Sequence, residues 1–170
     1  IFASYYDLLT SNVDYEKYAS RINELVAKFG GKKGKLVDLA CGTASLSFEL
    51  EKLGYKVTGC DISCDMLTYA AQKKYSTGSK IMLVQQDITA LSLPDKADVF
   101  VCSLDALNHL DGFEFVKMTL QRVAKYMKKN GLFIFDMNTV YKHKEVLADN
   151  AFVYDTDEAF VVWQNEYNDM

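Results

Sequence analysis

No two cysteines in this chain are spaced C-x-x-C, and histidine occurs only twice. Together the two shortages argue against a zinc centre, which needs clustered thiolate and imidazole ligands, and no metal is expected. The cysteines are Cys41, Cys60, Cys64 and Cys102. Three of them lie in or beside apolar strand-like runs, where cysteine behaves as a small hydrophobe. Nothing suggests a disulfide framework, so a reducing, cytoplasmic location is expected. No apolar run approaches the ~18 residues of a membrane span, and no signal peptide is visible. An excess of positive charge is missing too. Lys plus Arg number 19 against 23 Asp plus Glu, net −4, so the whole chain has no pull toward nucleic acid or anionic membranes. The local clusters Lys32, Lys33, Lys35 and Lys125, Lys128, Lys129 read as solvated helix ends. A nucleic-acid partner bound through them is the disfavoured alternative. Internal repeats and low-complexity linkers are also absent from the sequence.

What is present is an ordinary globular composition, 49% hydrophobic and 25% charged over 170 residues. That length suits one domain able to bury roughly 68–70% of its unfolded surface. Opening on Ile1 rather than Met, the chain is expected to start inside a longer protein.

Residues 14–29 place Tyr15, Tyr18, Ala19, Ile22, Leu25, Val26 and Phe29 on one helical face. Asp14 is positioned to cap that helix, and Gly30-Gly31 to end it. Then come GKLVDLA (strand), Ser45–Leu53 (helix), YKVTGCD (strand), Ser63–Tyr75 (helix) and KIMLVQQD (strand). A loop with the only proline, Pro94, leads to KADVFVCS (strand). A helix is expected over Asp111–Lys129, with an Asp111–Glu114 capping box at its start and Asn130-Gly131 as its stop. GLFIFDM follows as a strand and Thr139–Ala148 as a short helix. The strands near 36–40, 81–85, 98–102 and 132–136 are continuous apolar runs, the pattern of strands buried on both faces. Alternating strands and helices of this kind give an α/β, doubly wound, mostly parallel sheet with helices on both faces. The tail differs: Phe152–Asp155 and Phe160–Tyr167, joined by Thr156-Asp157-Glu158, suggest an antiparallel hairpin.

In such sheets ligands bind beyond the carboxyl ends of the strands, near the point where strand order reverses. Those ends carry Asp38–Ala44, Asp61, Asp87 and Ser103-Leu104-Asp105. A dinucleotide fingerprint needs glycines so that the backbone can approach a pyrophosphate. This turn offers Ala40, Gly42 and Ser45, one match in three. Carboxylates at every strand end also suit a ligand with hydroxyls, an exocyclic amine and a positive charge better than a diphosphate. Asp61 is placed to accept from ribose hydroxyls. Asp87, with the Ile88 amide beside it, is placed to read an adenine edge.

With those elements in view, the chain resembles the class I S-adenosylmethionine-dependent methyltransferases, and the match runs from about Tyr5 to Asn138. V-D-L-A-C-G-T-A corresponds to the family's D-x-G-x-G-x-G loop, and G-C-D-I-S-C-D-M-L to its second-strand signature. Q-Q-D-I matches the third-strand acid, and D-V-F-V-C-S-L-D-A-L-N-H-L the fourth-strand element. The departures are Ala40 and Ala44, and Ala44 sets a methyl where the backbone is expected to pass closest to the ligand. The resemblance implies the family's Rossmann-like fold and S-adenosylmethionine as cofactor. It also implies that Gly42 lies against the methionine moiety, Asp61 takes the ribose, Asp87 the adenine amine, and Ile62 and Met66 flank the adenine. Asp38 either contacts the ligand or orients the loop. FASYYDLLT resembles the aromatic cap that precedes the first helix in these enzymes, with Tyr5, Tyr6 and Tyr15 over the cofactor.

Methyl transfer from a sulfonium needs positioning and exclusion of water, and a base only if the acceptor must lose a proton. Asp105 and His109, past the fourth strand with Asn108, are the candidates, and Ser103 joins the cofactor set. A Ser103, Asp105, His109 triad lacks a nucleophile elbow and is discarded. Family members finish with two further strands that have no counterpart after Asn138. The expected organisation is therefore residues 1–138 as the S-adenosylmethionine-binding domain and 139–170 as the start of a substrate-covering insertion. Trp163 and Tyr167 would line a pocket for a small-molecule acceptor. A non-catalytic adenosylmethionine-binding module and a nicotinamide oxidoreductase are the competing readings.

Overall fold

The computed structural model describes residues 2–155 and 159–167. It divides into two compact units, Ile1–Asp136 and Met137–Met170.

The first unit opens with α1 (Phe2–Leu9) and α2 (Tyr15–Lys28). Asp14 caps α2 as expected, its Oδ1 accepting the Lys17 amide at 2.9 Å. Ala19, Ile22 and Val26 form the buried stripe of α2. The alternating units that follow are β1 (Lys35–Leu39), α3 (Ser45–Lys52), β2 (Lys56–Asp61), α4 (Cys64–Thr77), β3 (Met82–Gln85), β4 (Ala97–Cys102), α5 (Phe113–Tyr126) and β5 (Met127–Phe135). Short 3-10 turns cover Ile88–Ala90 and Ala106–His109. The strands form one five-stranded sheet in the order β3-β2-β1-β4-β5, every pair parallel. Strand order therefore reverses between β1 and β4, which are hydrogen-bonded neighbours with Leu39 level with Cys102.

Burial on both faces explains the continuous apolar runs. Leu36, Val99 and Val101 pack on one side with Ile22 and Val26 of α2, Leu50 of α3 and Ala70 of α4. Val37, Leu39, Phe100 and Cys102 pack on the other with Leu91, Leu107 and Val123 of α5. The side alternates residue by residue, as the period-two pleat requires. All four cysteines are free.

One helix differs from its expected span. α5 begins after Gly112 with no side-chain cap, so the Asp111–Glu114 box does not form. It ends at Tyr126 because Met127 pairs with Ala97 in the sheet. Asn130-Gly131 consequently sits inside β5 at an irregularity in register, with Asn130 in the left-handed region (φ +63°), and does not stop a helix. Sheet pairing here overrides local helix propensity.

In the second unit, Lys142–Leu147 winds as a π-type helix within the span expected to be a short α-helix. β6 (Ala151–Asp155) and β7 (Phe160–Gln164) pair antiparallel with Phe152 opposite Trp163. The expected turn Thr156-Asp157-Glu158 lies outside the described residues. No helix among the described residues is long and apolar enough to cross a membrane.

Candidate functional site

The turn after β1 adopts left-handed backbone at alternate residues: Ala40 (φ +55°), Gly42 (φ +55°) and Ala44 (φ +64°). The two alanines thus hold the conformation that glycine takes without strain, at a cost of roughly 1–2 kcal/mol each. The neighbouring packing holds them there. Cys41 donates its amide to the Cys60 carbonyl at 2.9 Å, tying the turn to the end of β2. A Cβ on Gly59 would meet Cys41 Sγ at 2.9 Å, so a glycine in the middle of β2 makes room for the turn. Ala44 is fully buried in the core beside Leu46 and Leu50. Its methyl therefore points into the core, which corrects the expectation that it meets the ligand.

Asp61, 8% exposed at the end of β2, organises the turn. Its Oδ2 accepts the Gly42 amide at 2.8 Å and its Oδ1 the Ser63 amide at 2.8 Å. Ser63, and not Asp61, is the cap of α4, its Oγ accepting the Met66 amide at 3.2 Å. Ile62, next along the chain, is 66% exposed and Met66 half-buried. At the next strand end, Asp87 Oδ1 accepts from the amide and hydroxyl of Thr89 at 2.8 and 2.7 Å. Ile88 is buried in the core.

Asp38 lies one layer below. It is 2% exposed, and its Oδ2 accepts from Ser47 Oγ at 2.5 Å, linking β1 to α3. Burial, with the Asp61 charge adding to it, pushes its carboxyl up to about 7.

The three N-terminal tyrosines separate. Tyr6 lies over the turn, its ring 3.5 Å from where a Cβ on Gly42 would be. Burial, with Tyr15, Asp61, Asp105 and Asp7 around it, raises its hydroxyl to about 12. Tyr15 packs against the core, and Tyr5 is exposed. α1 is anchored through Asp7, whose Oδ1 accepts from Thr43 Oγ1 at 2.5 Å and whose Oδ2 meets Lys73 Nζ at 2.9 Å.

The turn after β4 contains Leu104 (φ +56°) and Asp105 (φ +52°), two left-handed residues in succession. Asp136, just after β5, accepts their amides: Leu104 N to Oδ2 at 3.0 Å and Asp105 N to Oδ1 at 2.6 Å. Tyr18 of α2 donates its hydroxyl to the same Oδ2. His109 Nε2 lies 3.9 Å from Asp105 Oδ1 and is exposed. Ser103, half-buried, opens the turn. Sequence reasoning missed Asp136 and the hydroxyl role of Tyr18. The rule that selected the other strand-end acids, applied to GLFIFDM, would have found Asp136.

A parallel sheet with a tight left-handed turn at its switch point and acids at successive strand ends defines the Rossmann-like class that binds nucleosides there. Residues 37–135 match the family model for a methyltransferase domain, and the chain belongs to that family, in its class I S-adenosylmethionine-dependent group. It is 34% identical over 165 residues to a Bacillus subtilis (strain 168) protein named "Putative methyltransferase YqeM", covering 96% of this chain and 65% of that one. It is 26% identical over 136 residues to dTDP-3-amino-3,6-dideoxy-alpha-D-glucopyranose N,N-dimethyltransferase of Streptomyces fradiae, covering 79% and 52% respectively. Among solved structures, an S-adenosylmethionine-dependent methyltransferase from Clostridium acetobutylicum ATCC 824 superposes with TM-score 0.87 at 36% identity, covering 97% of this chain and 67% of that one. The chain thus spans less than two thirds of either curated relative's own length.

Proposed function

We propose that this chain is the S-adenosylmethionine-binding part of a methyltransferase acting on a small-molecule acceptor by in-line displacement. The observation that carries the reading is the Asp61 carboxylate holding the Gly42 amide at 2.8 Å at the switch-point turn. The residues present fit the cofactor. Gly42 leaves its backbone uncovered by any side chain of its own, between Asp61 and the Tyr6 ring. Asp61 and Asp87 offer acceptors to ribose hydroxyls and to an exocyclic amine, and the exposed Ile62 with Met66 offers apolar surface to the adenine. Successive carboxylates favour a cationic ligand and oppose a diphosphate.

The sulfonium, when bound, supplies an already activated leaving group. The chain's own task is to bind, orient and exclude water, effects worth several kcal/mol. Tyr6 of α1 covers the Gly42 side. Ala40 shapes the turn, Ser103 opens the neighbouring turn after β4, Ile88 follows Asp87 after β3, and Asp38 supports the first turn through Ser47. His109, exposed and with Nε2 3.9 Å from Asp105 Oδ1, is the candidate to take a proton from an acceptor that must lose one.

Relatives that act on small molecules, including the amino-sugar dimethyltransferase, support a small-molecule acceptor. The second unit reads as the start of an acceptor-recognition insertion. Trp163, 51% exposed on β7 with its Nε1 donating to Asn165 Oδ1 at 3.1 Å, and Tyr167, under Lys144 Nζ at 5.3 Å, are its aromatic candidates. Four free thiols suit a reducing cytoplasm.

Calorimetric titration with S-adenosylmethionine, S-adenosylhomocysteine and NADH tests the reading. Binding of both adenosyl compounds, weakened in Asp61→Asn and Asp87→Asn, is the expected result. NADH binding without an adenosyl response would overturn it in favour of an oxidoreductase.

A further inference from the structure

The turn that carries Asp105 is held by residues distant in sequence. Two consecutive non-glycine residues in the left-handed region are strained, and a pair of this kind persists only where its surroundings enforce it. The enforcing group is Asp136. Its two oxygens accept the Leu104 and Asp105 amides at 3.0 and 2.6 Å. Tyr18 Oη donates to the oxygen that also receives Leu104, which fixes the carboxylate's rotation. The Asp136 amide in turn donates to the Cys102 carbonyl at 3.3 Å, closing the clamp onto the end of β4. Three separate elements, α2, β4 and β5, thus meet at Asp136, which holds two successive amides of the turn. Burial and the adjacent Asp136 carboxylate raise the Tyr18 hydroxyl, so it stays a proton donor.

The Leu104-Asp105 turn lies where a bound nucleoside would extend. Along the sheet the strand ends run Asp87 (β3), Asp61 (β2), Gly42 (β1) and Asp105 (β4). A nucleoside occupying Asp87 and Asp61 directs its 5′ substituent toward β1 and β4. Leu39, Cys60 and Cys102 are level, so the β4 turn emerges beside the Gly42 turn. Asp105 is close enough to Tyr6, the ring over Gly42, to act on it electrostatically. An adenosyl amino acid bound in this direction brings the ammonium of its zwitterionic amino-acid end to Asp105.

We propose that Tyr18 and Asp136 are positioning residues, which hold the Leu104-Asp105 turn so that Asp105 receives the amino-acid end of an adenosyl cosubstrate. The proposal rests on the adenosylmethionine reading above. Neither residue touches the ligand in this account. Both act through the backbone of the turn.

The test compares two probes that share the nucleoside and differ in the tail: S-adenosylhomocysteine and 5′-methylthioadenosine. Both are titrated into the whole chain as wild type, Tyr18→Phe and Asp105→Asn, with thermal midpoints measured alongside. Tyr18→Phe keeps the ring that packs on the core and removes only the hydroxyl. Affinity for S-adenosylhomocysteine is expected to fall about tenfold in each variant, the loss typical of a charge-assisted hydrogen bond, while methylthioadenosine changes less than about twofold. Equal losses for both probes, or no loss for either, would overturn the proposal, because a merely structural pair does not discriminate between tails. Should Tyr18→Phe fail to fold, Asp105→Asn decides alone: without tail selectivity there, the proposal is wrong. A wild-type chain that binds neither probe contradicts the cofactor reading instead.

Discussion

The Gly42 amide donates to Asp61 Oδ2 at 2.8 Å, across 19 residues of sequence, and the other oxygen of the same carboxylate takes the Ser63 amide. One side chain therefore shapes the loops after β1 and after β2 together. Asp61→Asn replaces one acceptor oxygen by a donor facing an amide. A stability loss of roughly 1–3 kcal/mol is expected, with a drop of about tenfold or more in adenosyl affinity. Urea unfolding and calorimetry on the same preparation measure the two effects. Unchanged stability would show that the turn keeps its shape without this acceptor.

The alanines in the turn make opposite predictions. Ala40→Gly relieves left-handed strain of about 1–2 kcal/mol and adds about 0.4–1 kcal/mol of unfolded-chain entropy, so a small net gain is expected. Ala44 has the same strain, but its fully buried methyl is worth about 0.8 kcal/mol, which cancels the gain. Midpoints of thermal unfolding should rise in the first variant and stay level in the second.

Asp38 makes stability depend on pH. Its folded carboxyl titrates near pH 7 against a reference of 3.8, so the folded chain holds a proton through that window which the unfolded chain has released. Its contribution is full below about pH 4 and is lost as pH rises through 7. Asp38→Asn keeps an oxygen for the Ser47 hydroxyl and cannot ionise. Relative to wild type, the variant should gain on the order of 1–4 kcal/mol between pH 4 and pH 8. A difference that stays flat with pH would mean that Asp38 is not held neutral by burial.

The Asp7–Lys73 contact at 2.9 Å, with side chains 48% and 29% exposed, anchors α1 to α4. A part-exposed ion pair contributes about 0–1 kcal/mol, too little to move global unfolding much. Local opening is more sensitive. Lys73→Met should speed amide exchange across Phe2–Leu9 several-fold at a nearly constant melting midpoint, and equal exchange rates would assign the anchoring to the Thr43 and Ser45 hydroxyls on Asp7.

Local pattern carried much of this architecture. The α2 stripe and its Asp14 cap follow from helical periodicity, and the parallel sheet from strands apolar at every position. The strand-end acids Asp61 and Asp87 were legible because topology alone places strand ends at the site. Tertiary structure decided the rest. It made Tyr6, rather than Tyr5 or Tyr15, the residue over Gly42, and it turned the Ala44 methyl into the core. It ended α5 at Tyr126 by pairing Met127 with Ala97. It also joined Tyr18 to Asp136 across 118 residues. Sequence pattern registers periodicities over a few turns or a single strand, where neighbours along the chain are neighbours in space. A hydroxyl meeting a carboxylate from another element depends on how helices settle on the sheet, and packing alone specifies that.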